Sequence, residues 1–192
     1  MKLFLPAIRL FVAFFIITGI FYPLGITAFS QLAYNHQANG SIIKKNGTDI
    51  GSELVEEEFT SPAYFHGRPS AANYDASGST GSNYGPSNKK LVENVKKNVT
   101  TVKSENNLPE NASIPADLVL ASGSGLDPHI SPEGAKIQIQ RVATARNLPV
   151  KELEKLVEKS IEQPTLGILG EPRVNVLLLN ISIDQQFGKP QV

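Results

Sequence analysis

At 192 residues, with 18 basic and 18 acidic side chains, the chain has room for one membrane segment and one ordinary domain, and its zero formal charge gives no electrostatic footprint for nucleic acid. Cysteine is absent, which excludes disulfides and thiolate metal sites. Lys2 and Arg9 are the only charged residues among the first 29, and the remainder holds 16 bases against 18 acids.

Leu10 to Phe29, LFVAFFIITGIFYPLGITAF, carries no charge. Twenty residues at about 1.5 Å each cover roughly 30 Å, one hydrocarbon thickness, so 10–29 is expected to be a transmembrane helix. Pro23 interrupts it between Gly19 and Gly25. A proline is tolerated in a membrane helix where neighbours re-satisfy the freed carbonyl, and a bent helix with flat spots suits packing on other helices. A cleaved signal peptide, with Ala28-x-Ser30 as its cleavage site, is the rival; the apolar run exceeds the roughly 7–15 residues of a signal core. Lys2 and Arg9 precede the span and no base follows until Lys44, so the positive-inside rule places 1–9 in the cytoplasm and 30–192 outside it.

Residues 30–40 are polar and are expected to continue the helix briefly. SIIKKNGTDIGSELVEEEF, with its Asn46-Gly47 turn, reads as a strand pair. Residues 61–88 have a linker's composition, yet Tyr64, Phe65, His66, Tyr74 and Tyr84 punctuate them, which predicts an ordered loop packed on the domain. Leu91, Val92, Val95, Val99 and Val102 recur at intervals of three and four and predict a helix capped by Ser87 or Asn88. IPADLVLAS reads as a short apolar strand entering a loop, Ala121 to Ala135, ASGSGLDPHISPEGA. Ser131-Pro132-Glu133 then starts a helix with Ala135, Ile139, Val142 and Ala143 on one face. Pro149 opens another, striped by Val150, Leu153, Val157 and Ile161 and ended by Pro164; RVNVLLLNISI reads as a strand buried on both faces. The sum is one transmembrane helix followed by an α+β or α/β domain with a small sheet.

The glycine-rich loop invites chemistry. Ser122-Gly123-Ser124-Gly125 offers backbone N–H groups to an anion, but the loop lacks Walker A spacing, and Asp127 and Glu133 bring negative charge with no Lys or Arg between them. Asp127 and His129 resemble part of an acid–base or metal set, and with them a free-standing anchored enzyme or metal-binding protein is the alternative function. The bland reading is a loop that pins strand to helix, because the three histidines, His36, His66 and His129, have no helical metal spacing. In His66-Gly67-Arg68-Pro69 the arginine offers a fork to a carboxylate, again more in keeping with structure than catalysis.

YFHGRPSAANYDASGSTGSNYGPSN, LVLASGSGLDPHISPEGA, RVATARNLPV and LGILGEPRVNVLLLN occur in that order. Together they resemble the C subunit of the bacterial Kdp-type potassium-transporting ATPase, from the membrane span to near the C-terminus. Two places depart from that family's pattern: Thr80 stands where a second glycine is usual, and Val55-Glu56-Glu57-Glu58 replaces an Ile-Gly-Gln stretch. The resemblance implies a non-catalytic, single-pass subunit of the cell membrane, required for assembly. It acts beside a potassium-conducting subunit and a P-type subunit that hydrolyses ATP, as a catalytic chaperone raising the pump subunit's ATP affinity. No cofactor of its own and no metal are expected for the chain; ATP is implied by the resemblance only. A domain outside the membrane would influence that nucleotide only through the membrane helices. The loops expected to serve structure or partner contact are His66, Gly67, Arg68 and Pro69; Gly81, Ser82 and Asn83; and Ser122, Gly123, Ser124, Gly125, Asp127, His129 and Ser131. Gly19, Pro23 and Gly25 are expected to pack the membrane helix on its neighbours.

Overall fold

The computed structural model describes residues 3–45 and 47–190. Lys2 and Asn46, used above for orientation and for a turn, lie outside the described residues. The chain divides into two compact units, Met1–Ile50 and Gly51–Val192.

The first unit is a long apolar helix and a polar tail. Helix α1 (Phe4–Ile16) passes through one π-helical turn (Ile17–Phe21) into α2 (Tyr22–Ala33), a continuous 30-residue helix with no buried side chain. At about 1.5 Å per residue it is roughly 45 Å long, more than a hydrocarbon core requires. It contains the expected span and extends it at both ends. The π turn has a local cause. Pro23 has no N–H, and its ring crowds the carbonyl four residues back, that of Gly19. Widening the turn just before the proline relieves that crowding, and the Tyr22 N–H bonds back to Ile17 O. Beyond Ala33 comes a single turn, α3 (Asn35–Ala38). There the Asn35 and Asn39 amides both donate to Gln31 Oε1, at 3.0 and 3.1 Å. Strands β1 (Ile42–Lys45) and β2 (Thr48–Ser52) make the expected two-stranded sheet, with Gly47 at φ 79° in the turn.

The second unit is α+β. Helix α4 (Lys89–Glu105) begins where Asn88 accepts from the Lys90 N–H. It is a surface helix: Leu91, Val95, Val99 and Val102 are half-buried, while Val92 is exposed. The segment expected as a strand at IPADLVLAS is a 3-10 turn, Ala116–Leu118. Pro115 sets the entry to that turn. The Asp117 carboxylate then takes the Ser131 N–H and hydroxyl, at 2.5 and 3.2 Å, which an extended strand would not present. After β3 (His129–Ile130), Ser131 caps α5 (Pro132–Arg146) by accepting from the Gly134 N–H at 3.0 Å, as its sequence predicts. Asn147 in the left-handed region (φ 54°) ends α5, and Pro149 leads into α6 (Val150–Lys159). Helix α6 stops before Pro164, because Ile161 and Glu162 form β4.

The largest departure is at RVNVLLLNISI. Only Arg173–Asn175 is a strand, β5; Val176–Phe187 is helix α7. The Asn175 side chain accepts from the Leu178 N–H and caps the helix. Val176, Leu179 and Ile183 are buried with half-buried Phe187 beyond them, a helical stripe at intervals of three and four. The three-stranded sheet has the order β3-β5-β4 and is antiparallel throughout, with Ile130 and Ile161 both opposite Val174. An α/β reading is therefore excluded in favour of α+β. Phe65, Ile130, Ile139, Val142, Leu153, Val157, Val174, Leu179 and Ile183 form one core among α5, α6, α7 and the sheet. Burying a side chain of this size contributes roughly 1.5–3 kcal/mol.

Candidate functional site

The loop 61–68 is a strap fastened to helices by buried polar side chains. Phe65 is fully buried, and both of its backbone groups are taken by one amide: its N–H donates to Asn180 Oδ1 at 2.8 Å, and Asn180 Nδ2 donates to its carbonyl at 2.9 Å. Gln138 does the same for His66, at 2.8 and 3.0 Å. Arg141 donates to the Pro62 and Tyr64 carbonyls and to Asn106 Oδ1, while Arg146 donates to the Ala63 carbonyl and to Asp184. The Tyr64 ring lies under the Arg146 guanidinium at 4.6 Å, and its hydroxyl donates to Asp184. A buried loop must satisfy its backbone somewhere, and here α5 and α7 replace a sheet partner. Burial, and then the neighbouring Arg141 charge, hold His66 below the usual histidine range.

Two glycine-bearing loops close on each other backbone to backbone. The Thr80 N–H and the Ser79 hydroxyl donate to the Ser124 carbonyl, and Ser70 Oγ donates to the Gly125 carbonyl at 2.6 Å. Gly125 sits at φ 69°, and a Cβ there would stand 2.5 Å from the Thr80 carbonyl oxygen. A Cβ at Gly81 would stand 2.8 Å from the Gly123 carbonyl oxygen. Gly123 itself has open space and ordinary φ. Thr80 fits at this contact because its backbone makes it while its side chain is exposed.

The same face gathers the remaining candidates. Arg68 Nη1 donates to Asp127 Oδ2 at 3.1 Å, and Asp127 Oδ1 accepts the His129 N–H and faces His129 Nδ1, each at 3.1 Å. The His129 side chain, chiefly by its hydrogen bond, holds Asp127 below the usual carboxylate range. Ser122 and Ser124 line the adjoining cleft with Arg68, Asp127 and His129. Ser124 Oγ accepts from the Leu126 N–H and faces Ser122 Oγ; among the described residues neither hydroxyl bonds to His129, as a base-activated nucleophile requires. Nor does any cluster of three or more His, Asp or Glu side chains among the described residues have the makings of a metal site. The residues do not fit a nucleoside triphosphate either: Arg68 is paired with Asp127, and in the neighbouring cleft, which Asp117 and Glu133 also line, Lys136 is paired with Glu158. Gly67, Pro69, Ser82 and Asn83 lie in the same loops, with Asn83 at φ 53° donating to the Gly81 carbonyl.

Gln138, Arg141, Arg146 and Asn180, which fasten the strap, are the residues sequence reasoning missed. An amide or arginine inside a helix reads as solvated surface, and nothing local marks its partner 72 to 115 residues away.

The arrangement offers a braced surface, and among the described residues these loops hold no nucleophile bonded to a base. The model of the K+-transporting ATPase c chain family matches residues 4–185. The chain belongs to the KdpC family. It is 48% identical to the potassium-transporting ATPase KdpC subunit of Mycobacterium tuberculosis (strain H37Rv) over 183 residues, 94% of this chain and 97% of that one. The KdpC subunit of Rhodospirillum rubrum is 49% identical over 185 residues, and that of Caldanaerobacter subterraneus 47% over 182, each covering about 95% of this chain. In this KdpC-family chain the motifs that carry the resemblance are thus the strap, the paired glycine loops, the end of α5 and the turn before β5.

Proposed function

We propose that the chain is the accessory C subunit of an ATP-driven potassium uptake complex in the bacterial cell membrane. The observation that carries the reading is the near full-length match to KdpC subunits. In this reading it crosses the membrane once, with residues 1–9 cytoplasmic and the α+β domain outside. It performs no chemistry, is required for assembly, and acts on the ATP affinity of the P-type subunit from a distance, as a coupling free energy carried by membrane helices. The long exposed apolar helix supports the single crossing.

A second feature supports docking on the potassium-conducting and P-type subunits. The turn between β4 and β5 carries Leu166, Ile168 and Leu169, 86, 80 and 59% exposed. Thr165 and Leu169 exchange both backbone hydrogen bonds across it, and Leu166 holds φ 56°, a conformation a leucine adopts only at a cost. No charge lies between Gln163 and Gly170. An apolar tip held in this way suits a protein groove.

The test is co-purification in mild detergent with potassium-stimulated ATP hydrolysis. The chain is expected to remain with its partners, and His129→Ala to leave turnover of the complex within a few-fold. A loss of several orders of magnitude with assembly intact would assign chemistry to His129 instead, and a chain that never co-purifies sinks the subunit reading.

A further inference from the structure

Glu56 is a charged side chain in an unusual place. It is 2% exposed, and neither carboxylate oxygen has a side-chain or backbone partner of good hydrogen-bond geometry. Its carboxylate lies on Gly67, where a Cβ would overlap it. Its backbone N–H donates to the Leu126 carbonyl at 2.9 Å, so the residue joins the segment after β2 to the glycine loop. One more buried side-chain nitrogen or oxygen among the described residues lacks a partner, and it is Arg68 Nε. The two orphans belong to groups of opposite formal charge that feel each other electrostatically but form no ion pair, and the arginine's other end, Nη1, is engaged with Asp127.

A buried carboxylate and a buried guanidinium N–H of the same region, both charged and both unpaired, are driven to pair, because each keeps its full desolvation cost until it does. Their separation has a simple cause if the carboxyl is neutral. Burial does push it that way, up to about 8, with Asp127 adding to the rise and the Arg68 N–H and guanidinium opposing it. The groups around Glu56 are the Arg68 guanidinium, the Asp127 carboxylate with His129 behind it, and the Tyr74 phenol, which burial and then Glu56 and Glu58 push up to about 12. The phenol hydroxyl is itself occupied, donating to the Arg68 carbonyl at 3.0 Å.

We propose that Glu56, Arg68 and Asp127 form a proton-gated latch joining three loops of the extracytoplasmic face: with Glu56 protonated, Arg68 serves Asp127 alone, and when the proton leaves, Arg68 Nε–H turns to Glu56 and loosens the Asp127–His129 turn. The step is a proton transfer to solvent and an exchange of hydrogen bonds; nothing else is made or broken. Its consequence falls on the cleft lined by Leu54, Val55, Ser122, Ser124 and His129, whose wall is that turn. The location outside the membrane rests on the function proposed above; the latch itself does not.

The sign follows from linkage. The folded chain holds a proton on Glu56 that the unfolded chain, with an ordinary carboxyl near 4.5, has released. Stability therefore falls as pH rises from about 4.5 to about 8, by at most about tenfold in the folding equilibrium per pH unit, and levels off above. The experiment compares the full-length chain in detergent micelles with Glu56→Gln and Arg68→Lys between about pH 5 and about pH 9. It reads denaturant midpoints and amide exchange at residues 121–130, corrected for the chemical exchange rate. Wild type should lose stability across the window and show a several-fold rise in exchange near its upper end. Glu56→Gln should be flat in both. Arg68→Lys should keep the stability slope and lose the exchange step, since lysine has no Nε–H. Superposed profiles for wild type and Glu56→Gln overturn the latch, as does an exchange step that survives in Arg68→Lys. If Glu56→Gln does not fold, carbon-13-labelled glutamate in wild type decides: a carboxyl titrating near 8 upholds it, and none above about 6 refutes it. None of these readouts depends on the pump complex, so their failure leaves the subunit reading standing.

Discussion

At the scale of single residues, the two glycines of one loop separate geometry from composition. Gly123 and Gly125 look equivalent in the run SGSG, as if both needed glycine's freedom. Only Gly125 does: it has positive φ, and a Cβ would meet the Thr80 carbonyl, which is backbone and cannot rotate away. Gly125→Val is expected to cost on the order of 2–4 kcal/mol through strain and overlap, whereas Gly123→Ala should stay within about 0.5 kcal/mol. Chemical denaturation of both variants measures this; equal effects would show that the paired loops are not held as described. Asp127 and His129 were legible as a pair from their spacing, and a strut in the loop was one of the two readings that spacing allowed. A carboxylate whose oxygens already serve Arg68 and His129 braces a turn, and only the fold shows that Arg68, 59 residues away, is its partner.

At the scale of elements, sequence reasoning succeeded where signals are local. The cap at Ser131, the cap at Asn88 and the apolar stripe of α5 each lie within one or two turns of the residues they organise. It failed at α7 because VNVLLLNISI is rich in β-branched and apolar residues, and a short buried helix and a buried strand share that composition. The decisive feature is Asn180, in the middle of the run. On a strand buried on both faces its amide would have been an unpaired polar group; on α7 it reaches across to Phe65 and takes both backbone groups of the strap. This makes a prediction. Asn180→Leu keeps the side chain's branching and heavy-atom count and raises helix propensity, so on local grounds it should stabilise α7. It also leaves a buried N–H and a buried carbonyl without partners, at about 1–3 kcal/mol each. The net expectation is a loss of roughly 2–5 kcal/mol, with amide exchange rising at residues 63–68 before the rest of the domain. A neutral or stabilising result would mean that the strap is held by packing of Phe65 alone.

At the scale of the whole molecule, the question is whether the membrane helix is more than a tether. Its sequence gives it three distinguishing marks. A π turn at Ile17–Phe21 relieves Pro23 and changes the direction in which later side chains point. A Cβ at Gly19 would touch only the Phe15 ring edge at 3.9 Å, and Gly25 has nothing within 4 Å, so neither glycine is required by the chain's own packing. Both leave notches on a helix otherwise studded with Phe11, Phe14, Phe15 and Phe21, all more than half exposed. Lipid gives little apolar drive for association, so helices in a bilayer pair where small residues let backbones approach and large ones fill the grooves. Replacing residues 10–29 by an unrelated apolar span of equal length, with Arg9 kept, should therefore leave the domain folded and, on the topology proposed above, cleaved by protease added to intact spheroplasts. It should lower the ratio of this chain to the P-type subunit after mild-detergent purification, and potassium-stimulated ATP hydrolysis with it. A swapped chain that co-purifies and supports hydrolysis like the original would make the helix an anchor only. The whole interface would then fall to the domain, where the apolar tip at Leu166, Ile168 and Leu169 is the first place to look.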